Sequence, residues 1–192
     1  MLKTEKCPME KNKITPQLLM KVSRYITFER ANTYAPLLDS YTKKFELDHC
    51  ISRLAMFLAQ IIHESCYLRY TEEIASGDAY EFREDLGNIH VGDGAKFKGR
   101  GLLQITGRYN YQEMAAILDI DLINHPELLS EPEHAVASAC QWWNKRRVKL
   151  NRYADIGDVM AVTKIINGGL NGIVERTKLY TNIQNILMEW LS

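Results

Sequence analysis

The sequence lacks an excess of charge of either sign: Lys and Arg together number 24, and Asp and Glu together number 24. A general nucleic-acid-binding surface usually shows as strong basicity, so this balance argues against a nucleic-acid partner. The chain also lacks an apolar run long enough to cross a membrane, and its first ten residues lack the apolar stretch of a signal peptide. We therefore expect no membrane insertion, and a substrate outside the cytoplasm would require another route of release.

Motifs for metals, nucleotides and paired cysteines are also missing. The five histidines are dispersed, His63-Glu64 has no second histidine four residues later, and Gly99-Arg-Gly101 does not continue as GxGxxG. The cysteines show no CxxC pairing; they are Cys7, Cys50, Cys66 and Cys140. We therefore expect no metal and no cofactor, and we expect Cys66 and Cys140 to be buried thiols because both lie in apolar stretches.

With 192 residues, 46% of them hydrophobic, the chain can form one domain with a substantial core. Residues 1–13 are polar and lysine-rich and are expected to form an arm before a single domain over 14–192. Apolar spacing predicts helices over 15–26, 37–45, 52–67, 109–118, 132–143, 157–166 and 174–190. The glycine-rich, acidic stretch 72–98 predicts a loop, and the basic run 145–152 predicts a solvated helix end and loop or a contact with an anionic polymer.

Glu64 lies in the helix over 52–67, at helical spacing from Phe57, Ile61 and Leu68. This spacing places the carboxyl group on the packed face, where burial favours the protonated form. A carboxylic acid that keeps its proton near neutral pH can act as the general acid of a glycosidase. The alternative is that Glu64 lies at the edge of the face and reaches solvent.

Glu73 follows nine residues later in a polar loop, where we expect it to be ionised. Glycosidic bond cleavage requires such a second carboxylate, as a nucleophile or as the base that activates water. Nearby acids in the same loop compete for this role, and exposed loop acids often serve solvation alone.

Gln104 and Thr106 alternate with apolar residues, so in an extended segment their side chains would share one face. An amide and a hydroxyl on one face could hold a water molecule and a sugar; alternatively, this is the solvent side of a half-buried strand. Tyr109 and Asn110 follow closely, and Asn167 lies in a glycine-rich turn. Aromatic rings and amides of this kind suit a sugar site, although a turn asparagine also serves structure alone.

Three segments resemble glycoside hydrolase family 19, which contains plant-type chitinases and bacteriophage endolysins. They are Ala59-Gln-Ile-Ile-His-Glu-Ser65, Lys98-Gly-Arg-Gly-Leu-Leu-Gln-Ile-Thr-Gly-Arg-Tyr-Asn-Tyr111 and Thr163-Lys-Ile-Ile-Asn-Gly-Gly-Leu-Asn-Gly172. They occur in the family's order, and the similarity extends over roughly residues 50–185. The segment 148–158 and Asn171-Gly172 resemble the phage and prophage endolysin branch.

The resemblance implies a mainly α, lysozyme-like fold with a glycine-rich loop and short extended segment lining a cleft between two lobes. It implies Glu64 as the general acid, Glu73 as the base and Thr106 as the residue that helps position water. It further implies sugar-binding or supporting roles for His63, Gln104, Tyr109, Asn110, Asn167 and Arg176. The stretch after Glu73 departs from the family's usual pattern, so Glu72 and Glu81 remain alternative bases.

These expectations favour an inverting enzyme that cleaves the β-1,4 glycan backbone of bacterial peptidoglycan. A chitinase that acts on N-acetylglucosamine polymers and an inactive glycan-binding module are the alternatives. We expect a monomer made in the host cytoplasm that acts in the periplasm or cell wall after release by a holin or another route. We expect no separate cell-wall-binding domain.

Overall fold

A computed structural model describes residues 14–191, and the predicted arm over 1–13 lies outside this range. The described chain is mainly helical. Its α-helices are α1 Pro16–Val22, α2 Phe28–Lys44, α3 Ile51–Glu64, α4 Asp93–Lys96, α5 Arg108–Leu118, α6 Pro132–Lys145, α7 Arg147–Asp155, α8 Val159–Asn167 and α9 Ile173–Leu191. Short 3₁₀ turns occupy Asp78–Tyr80, Glu84–Leu86 and Pro126–Ser130.

The helix α3 lies at the centre of the larger of two hydrophobic clusters. Every residue from Arg53 to Ile62 is buried, so this helix is packed on all sides. Phe57 meets Trp143 of α6 edge to face, with ring centroids 5.5 Å apart. The long helix α9 packs extensively along α3. The position of Glu64 is therefore fixed by the best-packed element of the molecule.

The smaller hydrophobic cluster belongs to the middle of the chain, and its buried members are Phe97, Ile105, Tyr111, Met114, Leu122 and Leu129. Leu102, between Phe97 and Ile105 in sequence, belongs instead to the larger cluster. The segment 97–105 therefore crosses between the two clusters, as the expected two-lobed, lysozyme-like architecture requires.

Local signals explain where several helices begin. Thr15 Oγ1 accepts a hydrogen bond from Leu18 N, with Pro16 at the first helical position, as the sequence predicts. At the start of α3, Cys50 is the capping residue, and its Sγ accepts a hydrogen bond from Arg53 N.

Three helix predictions are wrong. The helix α1 ends at Val22 rather than near residue 26, because Ser23 is extended. The helix α2 begins at Phe28 rather than near Leu37, because Thr27 caps it and Pro36 is accommodated inside it. The basic run does not form a loop: Leu150 and Ala154 anchor a separate helix, α7.

Cys66 also differs from the expectation. It is exposed beyond the end of α3, whereas Cys140 is buried in α6; both are free thiols, as is Cys50. Burial raises the pKa of the Cys140 thiol, which keeps it in the unreactive protonated form.

Candidate active site

Glu64 is the last residue of α3, and its side chain contacts a buried arginine from α9. Arg176 is 1% exposed and donates from Nη2 to Glu64 Oε1, from Nη1 to Gln60 Oε1 and from Nε to the Asn171 carbonyl. Gln60 in turn donates to Thr163 Oγ1 of α8. A buried cation is tolerated only when its donors are satisfied. The hydrogen bonds that satisfy Arg176 and Gln60 connect α3, α8 and α9.

The fully packed position expected for Glu64 is not what the structure shows. Its side chain is 20% exposed, because α3 ends at this residue and Leu68 lies beyond the helix. Glu64 therefore sits at the edge of the packed face, as in the alternative interpretation. Its Oε1 is held by Arg176, whereas Oε2 has no hydrogen-bond partner within residues 14–191. One oxygen is fixed and the other is available to a ligand.

The backbone directly after Glu64 is strained. Cys66, Tyr67 and Leu68 have φ values of 48°, 62° and 59°, in the left-handed region that non-glycine residues rarely enter. Ser65 holds this turn, since its hydroxyl donates to the Ile61 carbonyl and accepts from Leu68 N. Strain of this kind concentrates at functional sites, and here it ends the helix at the carboxyl group.

A second carboxylate, Glu175, lies beside His63, and the sequence did not predict it. His63 Nδ1 lies 3.0 Å from Glu175 Oε2, and the Tyr67 hydroxyl donates to Glu175 Oε1 over 2.5 Å. The hydrogen bond to Glu175 raises the pKa of Tyr67 to about 12, so this hydroxyl remains a donor at neutral pH. Tyr67 is thereby hydrogen-bonded to α9, and His63 lies beside the same carboxylate.

Glu73 lies in the loop after the strained turn and is half-buried. Its Oε1 accepts from the Tyr80 hydroxyl over 3.0 Å and its Oε2 from Gly99 N over 3.1 Å. Backbone hydrogen bonding from Glu73 N to the Gly99 carbonyl, over 2.8 Å, fixes the residue against the glycine-rich segment. Burial and the hydrogen bond to Glu73 raise the pKa of Tyr80. Both oxygens of Glu73 act as acceptors, which suits a carboxylate.

The two alternative bases are engaged elsewhere. Glu72 pairs with Lys98 at 3.2 Å and Arg100 at 3.0 Å. Partial burial opposes the effect of these cations, yet they hold the pKa of Glu72 below its usual value. Glu81 accepts backbone hydrogen bonds from Gly92 and Gly94 at the start of α4. The carboxylates of Glu72 and Glu81 are therefore held by groups that do not contact the carboxylate of Glu73.

The segment carrying Gln104 and Thr106 is a tight turn rather than the expected extended face. Gln104 has a φ of 51°, and its Nε2 donates to the Gly101 carbonyl. Thr106 Oγ1 donates to the Gln104 carbonyl over 2.9 Å, and Asn110 Nδ2 donates to the Thr106 carbonyl over 2.7 Å. A Cβ atom placed on Gly99 would meet Gln104 Oε1 at 2.7 Å and Glu73 Oε2 at 3.2 Å. The turn thus brings Gln104 close to Glu73.

The predicted site residues therefore form two groups, one around Glu64 with His63 and Arg176, and one around Glu73 with Gln104, Thr106 and Asn110. Tyr109 is 58% exposed, and its ring packs on Gly87. Asn167 is exposed at the last position of α8. In the part of the chain that the structure describes, neither Tyr109 nor Asn167 has a side-chain hydrogen bond to another predicted site residue.

Residues 14–191 contain neither a cluster of metal ligands nor a helix that could span a membrane. No group of three or more His, Cys, Asp and Glu side chains is placed so that it could hold a metal ion. None of the helices in this range is long and apolar enough to span a membrane.

Comparison with known proteins gives the family. No family model matches the chain. A Haemophilus influenzae protein named for a glycosyl hydrolase family 19 domain is 30% identical over 190 residues, covering 81% of this chain and 92% of that protein. Acidic endochitinase SP2 of Beta vulgaris is 31% identical over 119 residues, covering 61% of this chain. The match spans only 40% of the length of the plant protein.

Solved structures share the fold. Chitinase C from Streptomyces griseus HUT6037 superposes with a TM-score of 0.71 at 19% identity, covering 95% of this chain and 96% of that one. A second bacterial family 19 chitinase gives a TM-score of 0.73 at 19% identity, with 92% and 95% covered. These structural likenesses show the shared fold, and the Haemophilus relative shows that the chain belongs to glycoside hydrolase family 19.

Proposed function

We propose that the chain cleaves the β-1,4-linked glycan backbone of bacterial peptidoglycan by inverting acid/base hydrolysis. Glu64 donates a proton to the leaving oxygen, and Glu73 accepts a proton from the attacking water. The hydrogen-bond partners of the two carboxyl groups support contact of Glu64 with the substrate and an acceptor role for Glu73. Glu64 has one oxygen held by Arg176 and one free for the substrate, whereas both oxygens of Glu73 accept hydrogen bonds, from Tyr80 and Gly99.

Thr106 and Gln104 act beside Glu73 in this proposal. The Thr106 hydroxyl donates to the Gln104 carbonyl, so its oxygen lone pairs remain available to accept a hydrogen bond from water. Gln104 Oε1 and Glu73 Oε2 both lie against Gly99, where a water molecule between them could be oriented towards the sugar. Tyr109, Asn110 and Asn167 supply an aromatic ring and amides for the neighbouring sugars.

Residues 148–158 and Asn171-Gly172 resemble the sequences of phage and prophage endolysins, which supports peptidoglycan as the substrate. The proposal includes release by a holin or another route and action as a monomer in the cell wall. Chitin is the second candidate, and the name of the Beta vulgaris relative supports it. An inactive glycan-binding module is the third, but binding alone would not require two carboxylates and a hydroxyl in this arrangement.

Replacement of the proposed acid tests the proposal. We expect Glu64→Gln to lower kcat on purified peptidoglycan by at least about 100-fold, since general acid catalysis typically contributes that much or more. The amide oxygen can still accept from Arg176, so the fold should persist by circular dichroism. Mass spectrometry of products from peptidoglycan and from chitin oligomers identifies the bond that wild type cleaves.

Glu84→Gln is the matched control, because Glu84 is an exposed acid in the same part of the chain and makes no predicted contact with substrate. It should retain wild-type activity. Full activity in Glu64→Gln would remove the proposed mechanism. Digestion of chitin alone by wild type would replace peptidoglycan with the second candidate.

A further inference from the structure

The basic run that the proposed mechanism does not use lines a continuous surface groove. Three adjoining depressions share lining residues: Lys145 and Arg146 belong to the first and second, and Val148, Lys149 and Ile165 to the second and third. The second and third have volumes of about 410 and 390 Å³, which is within the range of ligand sites. We call this feature the basic groove and define it by Lys145, Arg146, Lys149, Arg152 and Lys164.

The basic groove concentrates positive charge in a chain whose net charge is zero. Lys149, Arg152 and Lys164 are exposed, and none of them forms an ion pair with a described residue. Lys145 pairs with Glu113, and the Arg146 guanidinium stacks 3.8 Å from the centroid of the Trp142 ring. Three unpaired cations between α7 and α8 form a surface suited to an anionic ligand.

Both ends of the basic groove adjoin predicted sugar-binding residues. Asn110 lines the first depression together with Lys145 and Arg146. At the other end, Lys164 precedes Asn167 by three residues on α8, about 4.5 Å along the helix axis. A neighbouring position on the same helix, Thr163, contacts Gln60 in the network that holds Glu64. The groove therefore shares one lining residue with the predicted sugar site, Asn110, and lies one helical turn from a second, Asn167.

We propose that the basic groove binds the carboxylate groups of acidic peptides attached to the glycan strand, while the strand itself contacts Glu64 and Glu73. This inference rests on the proposed function and assigns a binding surface of this chain to the peptides that the peptidoglycan strand carries. The groove is concave and lined by apolar as well as basic side chains, including Val148 and Ile165. That lining suits a short peptide of small apolar and acidic residues better than the flat surface of a lipid bilayer.

Binding to insoluble polymer tests this inference without relying on turnover. The groove variant Lys149→Gln/Arg152→Gln/Lys164→Gln changes three exposed residues that make no ion pairs in the described chain. Sedimentation with purified peptidoglycan, freed of phosphate polymers, should show roughly tenfold weaker binding for this variant, from three weak ionic contacts. Both proteins carry Glu64→Gln so that the polymer is not consumed. Raising the salt concentration should reduce the difference, because exposed charges are screened.

The matched control Lys21→Gln/Lys44→Gln/Lys178→Gln makes the same change in net charge at exposed lysines outside the groove. It should bind peptidoglycan as the parent does. On chitin, a β-1,4-linked glycan that carries neither peptides nor carboxylates, the groove variant and the parent should bind alike. Equal binding of the groove variant and the parent to intact peptidoglycan would overturn the inference.

Two further outcomes separate the possible causes of failure. A groove variant that loses binding to anionic phospholipid vesicles but not to peptidoglycan would assign the groove to lipid and overturn the inference. If wild type hydrolyses neither polymer, the proposed function fails, whereas the binding difference still decides whether the groove recognises peptide carboxylates.

Discussion

At the scale of single residues, Arg176 explains how one carboxyl group can be both fixed and reactive. Its guanidinium is buried, and its donors are taken up by Glu64, Gln60 and Asn171. Because the fork of donors is planar and rigid, it fixes Glu64 Oε1 in direction as well as distance. The remaining oxygen, Oε2, is then the one that faces a glycosidic oxygen in the proposed reaction.

Gly99 provides a test of the geometry around the proposed base. A Cβ atom at this position would meet Gln104 Oε1 at 2.7 Å and Glu73 Oε2 at 3.2 Å, and the φ of Gly99 is not left-handed. We therefore expect Gly99→Ala to displace the two side chains with little backbone strain. kcat should fall about 10- to 100-fold, since small misplacements of catalytic groups have effects of this size. The change in unfolding free energy should stay below about 1 kcal/mol in denaturant titrations.

Gly169→Ala is the control for this experiment. Gly169 also lacks a left-handed φ, and its Cβ atom would meet only Asn167 Oδ1 at an ordinary 3.8 Å. It should keep both activity and stability. An unchanged kcat in Gly99→Ala would contradict the role assigned to Glu73 and Gln104.

The sequence marks Glu64 as a candidate because a carboxylate interrupts the apolar spacing of its helix. It could not reveal Glu175, which contacts His63 and Tyr67 across 112 and 108 positions of the chain. Glu175 lies in an ordinary amphipathic helix, and no local pattern distinguishes it from a solvated acid. The left-handed φ of Gln104 was missed for a similar reason, since alternating polar and apolar residues predict an extended segment.

At the scale of elements, the turn between α8 and α9 contains two glycines with left-handed φ, and one of them lies against His63, the neighbour of Glu64. Gly168 and Gly172 have φ values of 76° and 72°, so alanine is strained at both by about 1–2 kcal/mol. They differ in their surroundings. A Cβ atom on Gly172 would lie 2.2 Å from His63 Nε2, whereas one on Gly168 would meet nothing within 4 Å.

Gly172→Ala should therefore cost more stability than Gly168→Ala, and it alone should displace His63, the neighbour of Glu64. We expect a lower melting temperature in thermal unfolding and a loss of kcat for Gly172→Ala. Gly168→Ala should show only the smaller loss of stability. Equal effects of the two substitutions would show that the contact between His63 and Gly172 has no influence on the site.

Element prediction from the sequence succeeded for the most buried helix and failed for two helices whose local sequence is misleading. The helix α3 has ten consecutive buried residues, from Arg53 to Ile62, and was predicted. In α7 only Leu150 and Ala154 are buried, so its apolar pattern is too sparse to outweigh its charges. The start of α2 was missed because Pro36 usually marks a helix boundary, whereas here it lies within the helix.

At the scale of the whole molecule, the two hydrophobic clusters predict two units of different stability. The larger cluster surrounds α3, and the smaller one lies within residues 97–129. Because the smaller cluster buries fewer side chains, we expect it to open while the larger cluster stays folded. The segment 97–105 joins the clusters, so such openings would move Gln104 and Thr106 relative to Glu64.

Amide hydrogen exchange under native conditions distinguishes two units from one. Ile61→Val in the larger cluster should destabilise the protein by about 1 kcal/mol and speed exchange in α3 about fivefold. Exchange in α5 should not change, because the smaller cluster opens without disturbing Ile61. Ile105→Val, the same change in the smaller cluster, should speed exchange in both helices, since global unfolding also exposes Ile105. Equal acceleration of exchange in α5 and α3 by Ile61→Val would mean that the two clusters unfold as one unit. Opening of the smaller cluster alone could then not admit substrate to the active site.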